Sequence, residues 1–297
     1  NNKKYNYFQI LTKGRAVMSF NELKQHGTED FPFGIYIIDK HHPKYEMAFH
    51  WHTNVEIIRV ISGTLSITLD NCNFTAKRGD VVFVNSEIVH GATPHECEYE
   101  CLVFPLSFLK NGNRACNRFL DDLIEKNCKL AYLPSGEDIK EVTKMLFETI
   151  KQRENGFQFI AIGLVYRLIG LFMRSDQYSY ETKGLTEKDE QKVLKLKKTL
   201  TYIRENFDKE ITLDDMALAA GFSTKYFCSF FKELTGKTPV EYLNSYRVER
   251  ACRKLLGSDL SITQIAYGSG FNDLSYFIKT FKKIKGSSPS IYRKTIT

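Results

Sequence analysis

The end of the chain repeats itself, and the repeat limits what the last third can fold into. Residues 213–222, LDDMALAAGF, align with residues 262–271, ITQIAYGSGF, at an offset of 49. After one inserted residue the match continues. Tyr226-Phe227 answers Tyr276-Phe277, Phe231-Lys232 answers Phe281-Lys282, Gly236 answers Gly286 and Pro239 answers Pro289. Self-similarity at a fixed spacing marks a duplicated structural unit.

Each copy reads as two helices and a tight turn. Thr212 and Ser261 stand as N-caps, with Asp215 and Gln264 three residues on to close capping boxes. Ala217 and Ala266 are small where a second helix must cross closely, and Gly221 and Gly270 fall where the turn needs a positive φ. Phe222 and Phe271 then anchor the turn, and Ser223 and Asn272 are placed to cap the second helix. On that helix Phe227, Phe231 and Leu234, and in the second copy Phe277, Phe281 and Ile284, recur at helical spacing as core. Thr238-Pro239 with Glu241 starts a connecting helix that stops near Gly257.

Charge follows the repeat. Residues 191–297 carry 19 Lys+Arg against 10 Asp+Glu, and residues 1–190 carry 23 against 25, so the net +7 of the chain resides in the repeated part. A basic domain beside a near-neutral one points to a polyanion, chiefly nucleic acid. The seven cysteines are odd in number and show no C-x-x-C spacing, which suits reduced thiols in a cytoplasm. No run reaches the ~18 uncharged apolar residues of a membrane span. The nearest, 159–173, is broken by Arg167, and the first ten residues show no export signal.

Residues 5–108 read as short strands, among them 34–38, 55–61, 64–69 and 80–84, with turns at Ser62-Gly63 and Arg78-Gly79-Asp80. Such spacing suggests a small antiparallel barrel or jelly roll. Helical periodicity follows at 117–127, 138–153 and 157–174. The third helix is apolar on nearly all faces, with Gly163 and Gly170 on one side, so it is either buried in its own domain or a dimer surface. Residues 176–188 read as a linker. Thr186 and Asp189 then cap a helix whose core positions are Val193, Leu196, Leu200, Ile203 and Phe207.

The run from Ile265 to Pro289 resembles the AraC family of bacterial transcription regulators, with every position of the pattern I-A-x-x-x-G-F-x-D-x-S-Y-F-x-K-x-F-K-K-x-x-G-x-S-P matched. The resemblance implies two helix-turn-helix units bridged by one helix. It also implies binding to a promoter or operator in double-stranded DNA, pairing into a homodimer, response to a small molecule, and contact with RNA polymerase. Carried over, the base-reading face comprises Thr224, Lys225, Cys228 and Ser229 in the first unit and Leu274, Ser275, Ile278 and Lys279 in the second, with Lys232, Lys282 and Lys283 on phosphates. Ser229 stands where many relatives have Arg, so the first unit is expected to discriminate less.

The segment HWHTNVE from His50 to Glu56, with Gly63, fits the first motif of the cupin barrel, and Gly79-Asp80 through His90 resembles its second, with Asn85 and Glu87 as departures. On a strand His50, His52 and Glu56 share parity, and His90 can approach from a neighbour. Imidazoles plus one carboxylate suit Zn, Fe, Mn or Ni. They equally suit a polar ligand pocket or a hydrogen-bonded structural cluster.

The expected architecture is a two-domain α+β chain. Residues 1–175 form an antiparallel cupin- or jelly-roll-like β-barrel with C-terminal helices, which senses a ligand and dimerises. Residues 176–188 are the linker, and residues 189–297 form an all-α domain of two helix-turn-helix units joined by a helix. The effector, a sugar by the theme of cupin-bearing relatives, would meet His50, His52, Glu56 and His90, with Asn85 and Tyr36. No metal, cofactor, catalytic residue or membrane partner is expected. The rival reading is a cupin-type metalloenzyme with an appended DNA-binding domain, and a further rival is a non-specific architectural DNA protein.

Overall fold

The computed structural model describes residues 26–42, 45–70, 72–110, 114–180 and 187–296. The readings made on residues 5–25 and on Thr186 lie outside them. The N-terminal half is built on two long strands, β3 (Val55–Leu69) and β6 (His90–Phe104). They pair antiparallel along most of their length, from Val55↔Phe104 to Leu69↔His90, with register shifts between Val60 and Thr64. Four shorter strands flank them: β1 (Gly34–Ile38), β2 (Met47–His50), β4 (Cys72–Lys77) and β5 (Val81–Val84).

Among the described residues the expected closed barrel is not formed; the sheet is open. The shifts divide the long pair into two halves, each bordered by its own short strands. In one half β1 pairs with residues 99–103 of β6, and β5 pairs with residues 56–59 of β3. In the other, β2 pairs with the start of β6, and β4 with residues 64–69 of β3. Closure requires edge strands to bond to one another, and neither β1 with β5 nor β2 with β4 does so. A cupin or jelly-roll barrel therefore does not describe this domain. Ser62-Gly63, read as a turn between two strands, is instead the irregularity inside one strand. Gly63 has φ +67° and Glu96 opposite has φ +45°, and a Cβ on Gly63 would stand 2.2 Å from the Glu96 carbonyl oxygen.

Where β5 flanks β3, and along the end of β6, both faces of the sheet are buried, so successive residues there serve different cores. Ile57, Val81, Phe83, Leu102 and Phe104 pack with the helices that follow: α1 (Arg114–Ile124), α2 (Glu137–Gln152) and α3 (Phe157–Arg174). Their neighbours Ile58, Val82, Val84 and Cys101 join Val60, Leu65, Ile67 and Tyr99 in a second cluster. Strands β7 (Cys128–Leu130) and β8 (Tyr178–Tyr180) form a separate ribbon, so the start of the presumed linker is a paired strand. The inner face of α3 is buried, while Phe159 (84% exposed), Ile160 (53%) and Met173 lie outside. Nothing lies within 4 Å of a Cβ built on Gly163 or Gly170, so these glycines serve no close helix approach among the described residues.

The C-terminal half contains α4 (Glu187–Asn206), α5 (Leu213–Ala220), α6 (Thr224–Thr235), α7 (Pro239–Gly257), α8 (Ile262–Tyr267), α9 (Leu274–Lys285) and α10 (Pro289–Ile296). The expected capping boxes are present at Thr212/Asp215, Thr238/Glu241 and Ser261/Gln264. Each cap contributes about 1 kcal/mol. Two expected caps differ. Ser223 holds the N-cap position of α6 without a side-chain bond, and Asp273, not Asn272, caps α9 by accepting from the Tyr276 N–H. The asparagine lies one residue too early for its oxygen to reach the first turn.

Each unit has its own core. Leu196, Leu200, Ile203, Phe227 and Phe231 pack with Tyr242 and Leu243 from the start of α7. Phe271, Phe277 and Phe281 pack with Val248, Ala251, Cys252 and Leu255 from its end. The connecting helix thus belongs to both units.

Candidate nucleic-acid interface and sensor site

In each unit one helix buries its aromatic stripe and leaves the opposite side outside. On α6, Lys225, Ser229 and Lys232 are exposed, while Thr224 and Cys228 are half-buried. On α9, Ser275, Ile278, Lys279, Lys282 and Lys283 are exposed, and Leu274 is half-buried against the second core. The helical period explains the sorting. Phe227 and Phe231, like Phe277 and Phe281, are four apart on the inner face, with Phe230 and Thr280 buried beside them, while Ser229 and Lys279 are exposed. Thr224 donates its hydroxyl to Asp214, and Ser229 donates to the Tyr226 carbonyl at 2.9 Å. Both hydroxyls keep acceptor capacity.

Two residues of this face were missed from sequence. Tyr226 and Tyr276 are about half exposed and occupy equivalent places, with Tyr276 accepting from Asn244 Nδ2 at 2.8 Å. The signal was the Tyr-Phe pair of the repeat, in which only the second aromatic is buried. Phe222 also departs from its counterpart. Phe271 is buried, whereas Phe222 is half-buried beneath the Lys195 ammonium, 3.9 Å from the ring centre.

The second site gathers His50, His52, Glu56 and His90, whose nearest ligand-type atoms all lie within 4.8 Å of one another. They do not share one strand. His50 ends β2, His52 follows in the turn, Glu56 is on β3, and His90 opens β6 opposite His50. His52 Nε2 and His90 Nε2 each lie 3.2 Å from Glu56 Oε2. The Nδ1 atoms of His50, His52 and His90 lie 2.9, 2.9 and 2.8 Å from the carbonyl oxygens of Ala48, Asn54 and Ile88. A carbonyl only accepts, so each Nδ1 carries its proton and donates it there. Burial pushes the Glu56 carboxyl up, but the bonds to His52 and His90 and their charge outweigh it and hold Glu56 well below the usual carboxylate range.

Beside this cluster is a cavity of about 50 Å³, whose lining among the described residues includes Tyr36, Met47, His50, His52, Glu56 and Tyr99. His26, unsuspected from sequence, is buried there with Nδ1 2.8 Å from the Tyr36 hydroxyl. Asn85 is not part of the lining. Its amide donates to the Leu130 carbonyl at 2.8 Å and accepts from the Leu130 N–H at 3.0 Å, which pins β7 to the sheet.

The strand carrying His50 also touches the helical half. Ala48, Phe49 and Trp51 pack with Leu196, Leu200 and Tyr242. The Tyr242 hydroxyl donates to the Phe49 carbonyl, Lys237 pairs with Glu46 at 2.8 Å, and the Lys197 ammonium lies 4.9 Å from the Trp51 ring centre.

Comparison with known proteins agrees with both halves. A family described as "Helix-turn-helix domain" matches residues 216–295, and one described as "AraC-like ligand binding domain" matches residues 32–169. The chain is 24% identical to the HTH-type transcriptional regulator YdeC of Bacillus subtilis (strain 168), covering 93% of this chain and 96% of that one. It is 34% identical to the transposon Tn10 TetD protein of Escherichia coli, over 33% of this chain and 72% of that one. Among solved structures, a transcriptional regulator from Chromobacterium violaceum with an AraC-type DNA-binding domain shares 26% identity over 35% of this chain and 93% of its own, with a TM-score of 0.33.

Proposed function

Since the chain belongs to the AraC family of DNA-binding transcription regulators, we propose that α6 and α9 read a promoter in successive major grooves while the N-terminal half senses a small molecule. The chain is not an enzyme: its relatives are regulators, and the metalloenzyme reading is set aside. The observation that carries the proposal is the duplicated exposed face. Two equivalent helices, fixed to one connector, present Lys225, Ser229 and Lys232, and Ser275, Lys279, Lys282 and Lys283. The bare flank of α3, with Phe159 and Ile160 outside, supports pairing of two copies there. A regulator of this kind works on the chromosome, so it acts in the cytoplasm, where it would meet RNA polymerase.

The effector site we assign to the His50, His52, Glu56 and His90 cluster with Tyr36 and His26 beside it. Sugar-sized pockets span about 300 Å³ or more. A cavity of about 50 Å³ therefore favours a smaller effector, and a sugar would require the strands around it to part. Coupling runs through β2, because His50 and the Phe49 carbonyl that Tyr242 engages are adjacent. The coupling must be reciprocal. Effector affinity is expected to change when promoter DNA is bound, and equal affinity with and without DNA would sink the link.

The direct test is genomic pull-down with sequencing at ~150 mM salt, which suppresses purely electrostatic capture. Recovery of a few promoters with paired half-sites supports the reading, and unpatterned DNA supports the architectural alternative. Cys228 then reports which face reads. Burial pushes the Cys97 and Cys252 thiols up to about 11, so neither reacts near neutral pH. Iodoacetamide is expected to label Cys228 in the free protein and to be excluded by the recovered promoter, with exposed Cys72 labelled equally in both. Undiminished labelling of Cys228 at saturating promoter would remove α6 from the interface.

A further inference from the structure

We propose that His50, His52, Glu56 and His90 hold one divalent transition-metal ion, and that this ion is what the N-terminal half senses or uses to hold a small effector. The inference rests on the assignment of this cluster as the sensor site and names its chemistry. Three imidazoles and one carboxylate make a borderline donor set suited to Zn(II), Fe(II), Co(II) or Ni(II), and poor for Mg(II) or Ca(II).

Distance supports the assignment. Two ligands about 2.1 Å from a zinc-like ion at the tetrahedral angle stand about 3.4 Å apart. The separations of His52 Nε2 and His90 Nε2 from Glu56 Oε2 are both 3.2 Å. His50, His52 and Glu56 lie within seven residues on β2, the following turn and β3, and the sheet brings His90 to them from β6.

The outer contacts point the same way. Metal-binding histidines characteristically donate their second ring N–H to a carbonyl or carboxylate, which fixes the ring and turns the other lone pair to the metal. All three histidines do this, toward Ala48, Asn54 and Ile88. With Nδ1 committed to a carbonyl, Nε2 is the ring atom left to ligate. For His52 and His90 that atom faces Glu56 Oε2. A metal ion there would take the place of the Nε2 protons that otherwise bridge to the carboxylate, keeping the same three atoms around one positive centre.

Room remains for chemistry at the ion. Four protein ligands leave one or two positions on a five- or six-coordinate ion, and the adjoining cavity of about 50 Å³ exceeds the 10–15 Å³ that one water needs. A small chelating anion would fit there where a sugar would not. His50 sits at the end of the strand whose neighbouring carbonyl, Phe49, accepts from Tyr242, so filling the site is felt at the helical half.

The test uses the full chain, stripped by a chelator and titrated with Co(II) alone. We expect about one equivalent to bind, with visible d–d absorption of a nitrogen- and oxygen-ligated ion that Zn(II) displaces. Half-buried His50 is the ligand whose loss least disturbs the fold. His50→Ala should weaken binding at least about tenfold while the circular dichroism stays native, and His90→Gln should do the same. A folded wild type that shows no Co(II) band overturns the proposal, as does equal binding by wild type and both variants. Promoter affinity measured on the same samples separates the two readings. A metal-free chain that selects promoters but never binds Co(II) loses the metal site and keeps the regulator. Stoichiometric Co(II) without any change in promoter affinity keeps the site and overturns its coupling to DNA.

Discussion

Gly270→Ala should unfold the second helix-turn-helix unit, with a loss of about 4 kcal/mol or more, whereas Gly221→Ala in the first unit should cost only about 1–2 kcal/mol. Both glycines hold the same place in the repeat and both have positive φ, +67° at Gly221 and +87° at Gly270. Their surroundings differ. A Cβ on Gly221 meets nothing within 4 Å, while one on Gly270 would stand 2.0 Å from the Phe207 carbonyl oxygen and 2.7 Å from Arg247 Nε. That carbonyl is not free to retreat. It accepts from Arg247 Nε at 2.8 Å, and the same guanidinium donates to the Lys209 carbonyl at 2.7 Å. The alanine methyl therefore strikes the tie between the end of α4 and the middle of α7. Urea unfolding of the two variants, followed by circular dichroism, checks the contrast. Equal and small shifts would show that the Phe207 carbonyl yields and that only φ matters.

Replacing Lys225, Lys232, Lys279, Lys282 and Lys283 together by Ala should lower promoter affinity by about three to four decades near 150 mM salt, and should flatten the slope of log affinity on log salt by about 3, one for each of the phosphate-facing Lys232, Lys282 and Lys283. All five are exposed on α6 or α9, so their loss should leave both cores intact. The slope, measured by fluorescence anisotropy on a promoter duplex, counts released counterions and therefore counts true phosphate contacts. An unchanged slope would return these lysines to a solvated face with no role in DNA binding. A slope reduced by only 2 would confine the contacts to one unit.

The C-terminal half was legible because its rules are local. Capping boxes span three residues, the aromatic stripe recurs every four, and the repeat supplies a second reading of each signal. Sequence reading failed there where two polar neighbours competed, as with Asn272 and Asp273, where Ser223 took the cap position without its bond, where copies diverged, as with Phe222 and Phe271, and where Tyr226 and Tyr276 stayed outside the core. Of the strands in the other half, β1, β5 and both parts of β3 were visible as β-rich runs, while β2, β4 and β6 were not singled out. Closure of the sheet was not visible, because it depends on whether edge strands meet, and nothing in a strand's own residues says what lies beyond its edge. Gly63 illustrates the limit. A glycine after a serine reads as a turn, yet here it relieves the crossing with Glu96 inside one continuous strand. The His50, His52, Glu56 and His90 set was legible as a list. Its assembly from two strand ends, a turn and a third strand was not, nor was His26, whose place beside Tyr36 no spacing announces. Asn85 shows the reverse error: a polar residue at a motif position spent on fastening the Leu130 backbone.

Strand β2 makes the division between sensor and reader a matter of matched surfaces rather than of a tether. Ala48, Phe49 and Trp51 complete the apolar shell around Leu200 and Tyr242, and Glu46 meets Lys237 at its border. A hybrid regulator made by grafting residues 187–296 onto a foreign sensor would leave that shell uncovered and gain stickiness in place of control. One that also transplants residues 46–51 would keep the reader's flank dry. Building new switches from this scaffold thus begins with a six-residue strip far from the junction where the chain would ordinarily be cut.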